Sequence, residues 1–233
     1  MLRSHELIQS RTNVAYYNNT DANYSSFVAI PELVRPDADT LLLYLSANSI
    51  DFSAPVEDPW YSANNGPFFD SGNNSFWLTD NTASVLGCAT QIQYCNPNLP
   101  LESGCGPLMS LYQLGANFNS TDQSMWQSKE QAALAYEFMS NVNNVGDFYE
   151  LIGSVGVAVL TSRNSLWSGV QGPLPNNQWQ LDMENLQAIY VASIQRQFIE
   201  WANGPRYPGL GPYISGPANE WDRIYCHCQV ICY

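Results

Sequence analysis

Apolar residues come in short bursts through the first half of the chain and settle into a long helical period only near its end. Residues 1–26 are polar and Asn-rich and read as a lead segment ahead of the fold. From Phe27 the pattern changes, and Phe27-Val28-Ala29-Ile30 is a short apolar run stopped by Pro31. Beyond the turn formers Asp37 to Thr40, Leu41-Leu42-Leu43-Tyr44-Leu45 puts five apolar residues in a row. That run is too short for a helix of its own and is followed by turn formers, so it predicts a buried strand, with Ile50 and Phe52 continuing an extended course. Pro55 to Asn74 is rich in Pro, Gly and Asn and reads as a loop, with Trp60, Tyr61, Phe68 and Phe69 interleaved. Ser75 to Thr79 and Ala83 to Cys95 predict two strands around the turn Asp80-Asn81-Thr82. In the second strand, Ile92 and Tyr94 stand among polar neighbours as on a half-buried sheet. Pro97, Pro100, Gly104, Gly106 and Pro107 make 96–120 a second loop.

The period then lengthens. Thr121 or Asp122 caps a predicted helix to about Val142, with Met125, Ala132, Tyr136, Met139 and Val142 on one side. Phe148 to Thr161 is apolar enough for a core helix, although Gly153, Gly156 and three valines pull it toward strand. Gln178 to Asn203 has the clearest signal. Trp179, Met183, Leu186, Tyr190, Ile194, Phe198 and Trp201 recur every three or four residues along one stripe, and Gly204-Pro205 ends it. The expected fold class is α+β, a β-rich N-terminal half with disulfide-bonded loops packed on a helical C-terminal half. One domain is expected over 27–225, preceded by the 1–26 lead and followed by a Cys-rich tail at 226–233.

Composition narrows the environment. The 233 residues are 45% hydrophobic, with 7 Trp, 14 Tyr and 9 Phe, which is ample for a packed core. Charged residues make up 12%, against roughly 25% in an average soluble protein. Eight basic residues, Lys129 the only lysine, are scattered against 21 acids for a net charge of −13. Without a basic cluster there is nothing to displace counterions from a phosphate backbone, so nucleic acid is excluded as a partner. An anionic membrane surface is disfavoured for the same reason. The longest apolar stretch, Val155 to Leu160, is far short of the roughly 20 residues that span a bilayer, so no membrane span is expected.

Six cysteines fall into two groups, Cys88, Cys95 and Cys105, then Cys226, Cys228 and Cys232. An even count suits a disulfide framework, and pattern alone does not choose among its fifteen complete pairings. Cys226-His227-Cys228 does not have the two separated ligand pairs of a tetrahedral zinc site, so no metal is expected there. Four Asn-x-Ser/Thr acceptors begin at Asn18, Asn23, Asn73 and Asn119. A chain this rich in Asn, Ser and Thr makes such tripeptides by chance, but each lies in a polar, turn-like stretch where a glycan would project into solvent. Cysteines and acceptors together predict the secretory pathway. Met1 to Ser10 carries no apolar signal region, so the expectation is an ectodomain separated from its entry signal and its anchor.

Candidate chemistry is sparse. There is no phosphate-binding Gly-rich loop, no Gly-x-Ser-x-Gly elbow and no cofactor motif. His5 and His227 are the only histidines, and neither has a triad around it. Glu57-Asp58 beside Trp60 and Tyr61, Asp147 with Glu150, and Glu220 with Asp222 around Trp221 are the carboxylate pairs that sugar hydrolysis would need. Their plain alternative is solvated turns and helix-start acids, and Asp122 and Asp182 are better explained by the helix dipole. No catalytic residue is assigned. Loop aromatics Trp60, Tyr61, Phe68, Phe69, Tyr207 and Tyr213 are candidates for stacking on sugars, or else anchors of long loops.

Several segments carry a resemblance. Val85-Leu86-Gly87-Cys88, then Gln93-Tyr94-Cys95-Asn96-Pro97, with Asp58-Pro59-Trp60-Tyr61-Ser62-Ala63 and Trp221-Asp222-Arg223-Ile224, resemble a group of large uncharacterised membrane-anchored glycoproteins of filamentous ascomycete fungi. The resemblance covers about residues 5 to 225 and implies an ectodomain ahead of a membrane helix and a cytoplasmic tail. It carries no activity. Tyr225 to Tyr233 departs from the polar stretch that follows the family's last cysteine, which puts Cys228 and Cys232 in doubt. It leaves Cys88, Cys95, Cys105 and Cys226 as the expected framework. The leading expectation is a non-enzymatic extracellular or cell-surface domain with a wall polysaccharide or a protein as partner. Carbohydrate binding and then carboxylate hydrolysis follow it.

Overall fold

The computed structural model describes residues 11–19, 21–47, 50–96, 98–110, 113, 148–203 and 225–232, the last of these by backbone course alone. The chain is a mixed α+β protein, with strands through its N-terminal half and its long helix toward the C-terminus. One sheet has the order β1-β2-β6-β9 and the other β4-β5-β3-β8-β7. The strands are β1 (Arg11–Tyr17), β2 (Asp39–Ser46), β3 (Asp51–Phe52), β4 (Asn65–Phe69), β5 (Ser75–Leu78), β6 (Ser84–Cys95), β7 (Leu166–Trp167), β8 (Val170–Gln171) and β9 (Tyr225–Cys232). The helices are the short α1 (Leu101–Gly104), α2 (Phe148–Val155) and α3 (Gln178–Asn203).

The five-residue apolar run lies in β2. Strand geometry sends alternate side chains to opposite faces, so Leu41, Leu43 and Leu45 are buried while Leu42 and Tyr44 are half-buried. Its antiparallel partner β6 stands in register, Leu41 opposite Cys88 and Leu43 opposite Leu86, which gives the two strands one shared core face. From α3, Met183, Leu186, Tyr190 and Ile194 join the same core. Each fully buried side chain of this kind is worth about 1.5–3 kcal/mol over the exposed state. The stripe read from the sequence is therefore core up to Ile194, and the side chains of Phe198 and Trp201 lie outside the described residues.

Four segments differ from the elements expected of them. The polar lead is not wholly outside the fold, because Arg11–Tyr17 is an edge strand pairing along β2. The Cys-rich tail likewise forms β9, antiparallel to β6 along its length. The 55–74 loop contains β4, whose five residues are all exposed. The Phe148–Thr161 helix stops at Val155, and a 3-10 turn follows at Gly156, whose φ of 54 suits glycine. The helix expected over 121–142 lies outside the described residues. Between β6 and α1 the chain doubles back tightly enough that a Cβ on Gly104 would meet the Asn96 carbonyl at 2.9 Å. Cys95 and Cys105 close that loop as a disulfide, Cα atoms 4.1 Å apart. Among the described residues no helix is long and apolar enough to cross a membrane.

Candidate functional site

Two places gather chemistry, one buried and one exposed. The buried one begins with Asp58, fully shielded from solvent. Its Oδ1 accepts the backbone N–H of Trp60 at 2.8 Å and of Tyr61 at 3.1 Å, which shapes the loop. Its Oδ2 accepts the Trp179 N–H at 2.9 Å, one of the four donors that the first turn of α3 leaves without an intrahelical partner. Asp58 therefore caps a helix that lies far along the chain. Burial raises its pKa above the usual carboxylate value, the three N–H groups oppose that rise, and the charge of Asp182 adds to it.

Asp182 is equally buried and forms the hub. Its Oδ2 accepts the Tyr61 hydroxyl at 2.5 Å, and its Oδ1 accepts the Thr161 N–H and hydroxyl, each at 2.6 Å. The Ser162 N–H and Gln178 Nε2, both at 3.2 Å, complete five bonds on one carboxylate. Tyr61 also sits 2.9 Å from Ser162 Oγ. Its phenol pKa is pushed well above the ordinary value by burial, then by the charge and hydrogen bond of Asp182. Asp182 was expected to serve the helix dipole, but it is turned inward and holds the Thr161–Ser165 3-10 segment and the Tyr61 loop to α3. A cavity of about 20 Å³ lies beside Tyr61, Ser162 and Gln171, room for about one water. This cluster can lock three segments together. With its lone pairs occupied and no space for a sugar ring, it is not arranged as a hydrolytic pair.

Of the other carboxylate candidates, Glu57 is the one whose side chain the described residues place. Glu57 is exposed, and its Oε2 accepts a long 3.4 Å contact from Asn176 Nδ2, while Asp58 is buried in its own bonds. Asp147, Glu220 and Asp222 lie outside the described residues, as does the side chain of Glu150. Of the aromatic candidates, Trp60 and Tyr61 are core residues at 3% and 6% exposure, so they anchor the loop and are closed to ligand. Tyr207 and Tyr213 lie outside the described residues.

The exposed place is the outer face of the five-stranded sheet. Phe52 stands opposite Trp77 on one side and Gln171 on the other, and Gln171 opposite Leu166, so these four share the inward face. One position along, side chains turn outward. Val170 (43% exposed) and Trp167 (82%) pair there, Asp51 stands opposite Val170, and Phe76 and Phe68 (41%) continue the face with ring centroids 5.7 Å apart. Trp167 is presented by a two-residue hairpin whose Ser168 and Gly169 both have positive φ, the conformation a tight right-twisted hairpin requires. Sequence reasoning missed Trp167. Its signal was the Ser-Gly pair that follows it. Phe69, next to Phe68, is 63% exposed.

Of the glycan acceptors, Asn18 is 4% exposed, Asn23 and Asn73 are exposed, and Asn119 lies outside the described residues. Cys88 is disulfide-bonded as well as Cys95 and Cys105. The backbone of Cys226 stands opposite Tyr94, and that of Cys232 opposite Cys88. Among the described residues no group of three or more His, Cys, Asp or Glu could hold a metal ion. No protein-family model, curated protein or solved structure matches the chain.

Proposed function

We propose that this chain is a non-enzymatic extracellular or cell-surface domain. The observation that carries the reading is the Cys95–Cys105 disulfide, with Cys88 also oxidised, in a chain bearing four glycan acceptors. Structural disulfides persist in oxidising compartments and are rare where glutathione keeps thiols reduced. The engagement of Asp58 and Asp182 in helix and loop anchoring supports a structural role for the most buried carboxylates. The test is secreted expression behind a signal peptide, with peptide mapping under non-reducing conditions before and after deglycosylation. Free thiols throughout and unmodified acceptors would overturn the assignment.

A second reading, carbohydrate binding, is favoured by the outward Phe68, Phe76, Val170 and Trp167 beside the polar Asp51. Flat aromatic surface with a few hydrogen-bonding groups suits the apolar face of a neutral sugar ring. Its partner is a wall polysaccharide, and absence of binding on an array of wall glycans removes it.

A further inference from the structure

We infer that the fold sorts its glycan acceptors, so that in the native protein Asn73 carries an N-linked glycan and Asn18 does not. The inference rests on the secretory reading. Transfer joins the Asn Nδ2 to the anomeric carbon of an oligosaccharide carried on a polyprenyl pyrophosphate. The Nδ2–C1 bond forms, the bond from C1 to pyrophosphate breaks, and one amide proton is lost. Every Asn-x-Ser/Thr tripeptide is eligible for that chemistry in an unfolded chain. What separates the sites is whether the folded chain has room for the product.

Asn73 sits at the tip of the turn between β4 and β5 with a φ of 64, a conformation Asn tolerates better than most residues. The turn is organised by Asp70. Its Oδ1 accepts the N–H of Gly72 and of Asn74, each at 2.8 Å, its Oδ2 accepts Asn74 Nδ2 at 3.0 Å, and its carbonyl accepts the Asn73 N–H at 3.1 Å. The Asn73 side chain is exposed and takes no part in those bonds. A glycan on Nδ2 therefore costs the turn nothing.

Asn18 is the reverse. Its side chain is 4% exposed, and its Oδ1 accepts the Asp21 N–H at 3.0 Å. Its own N–H donates to Ser25 Oγ at 2.9 Å, and the next N–H, of Asn19, donates to buried Asp39 at 3.0 Å. An oligosaccharide is larger than this whole turn, so attaching one at Asn18 forces the turn open at the point where β1 leaves the sheet. Chains modified there do not reach the native state.

The experiment secretes the chain from eukaryotic cells, isolates folded monomer by gel filtration, and removes glycans enzymatically in heavy-oxygen water, which marks each formerly occupied Asn as labelled Asp. Label is expected at Asn73 and none at Asn18. Ser75→Ala, which leaves the positive-φ Asn73 backbone in place, removes one glycan's mass, while Thr20→Ala leaves the glycan mass carried by the folded monomer unchanged. Label at Asn18 in folded monomer overturns the inference, as does an unlabelled Asn73 in a monomer labelled at Asn23 or Asn119. No label at any site, with a co-secreted control glycoprotein labelled, overturns the secretory reading and this inference with it.

Discussion

Tyr61 donates its hydroxyl to Asp182 at 2.5 Å across 121 residues of chain, joining the loop after β3 to the N-terminal part of α3. The bond is buried, and the hydroxyl also lies 2.9 Å from Ser162. Tyr61→Phe removes one donor from a carboxylate that keeps four others, so the expected loss is about 1.5–3 kcal/mol, the range for a hydrogen bond to a charged group. Asp182→Ala leaves the Thr161, Ser162, Gln178 and Tyr61 donors buried without their acceptor, and the expected loss is about 3–5 kcal/mol. Urea unfolding followed by Trp fluorescence measures both. Equal losses in the two variants would mean that Asp182 is not the hub.

The pH dependence has a sign that can be worked out. Burial, the largest influence on Asp58, raises its folded-state pKa, so ionisation costs more in the fold than in the unfolded chain. Its contribution is most favourable below the unfolded value and is lost as pH rises through the folded value. Asp37, Asp70 and Asp80 run the other way. Hydrogen bonds, from Arg35, Asn74 and Ser62 respectively, hold them below the usual range, so their contributions are lost as pH falls. Whole-protein stability mixes the two. The difference between wild type and Asp58→Asn isolates the first, and it should shrink as pH is raised through the range above the ordinary carboxylate value. A difference that grows over that span would contradict the burial argument.

Legibility differed between core and edge. β2, β6 and α3 were readable because each has a face in the core, and burial writes a period into the sequence: Leu41, Leu43 and Leu45 in one, Met183, Leu186, Tyr190 and Ile194 in another. β1 and β4 are edge strands, and all five residues of β4 are exposed, so no hydrophobic alternation announced them. The polar hub was illegible for a different reason. Asp58 and Asp182 each look like ordinary turn or helix-start acids, and only the tertiary fold makes them share Tyr61 and α3. The sequence leaves Trp60 and Tyr61 open between stacking on a sugar and anchoring a long loop, and the Asp58 turn, which folds them inward, decides for the anchor.

The register of β6 and β9 bears on the second disulfide. Cys88 is oxidised, and its cross-strand neighbour is Cys232, whereas Cys228 and Cys226 stand opposite Ile92 and Tyr94. At about 3.3 Å per residue, those two backbones lie roughly 13 Å or more along the strand from Cys88, beyond disulfide reach. Non-reducing peptide mapping is expected to join the Cys88 peptide to the one containing Cys232, contrary to the framework with Cys226 that the resemblance implied. A loop of more than a hundred residues closed this way adds about 4–5 kcal/mol in the chain-entropy account, so Cys88→Ser should lower stability markedly. Linkage of Cys88 to Cys226 would require β9 to shift along β6.

Trp167 separates surface function from stability. A tryptophan 82% exposed on a hairpin has given up most of the burial that makes aromatic residues stabilising. Trp167→Ala should therefore change stability by no more than about 0.5 kcal/mol, as for other surface substitutions. Its neighbours in the fold argue the same way, since the turn is set by Ser168 and Gly169 and the strand pairing by backbone bonds. If the outer face of the five-stranded sheet stacks on polysaccharide, the same substitution should weaken retention on wall glycan severalfold, and Phe68→Ala should do so too. The Phe68 variant also loses its contact with Phe76, so only the tryptophan variant is a clean probe. Affinity electrophoresis in polysaccharide gels, run beside urea unfolding of the same variant, reads both quantities. Unchanged mobility for Trp167→Ala in a gel that retards the wild type would move the binding surface elsewhere on the molecule, and retardation of neither would leave the non-enzymatic surface-domain reading without a sugar ligand.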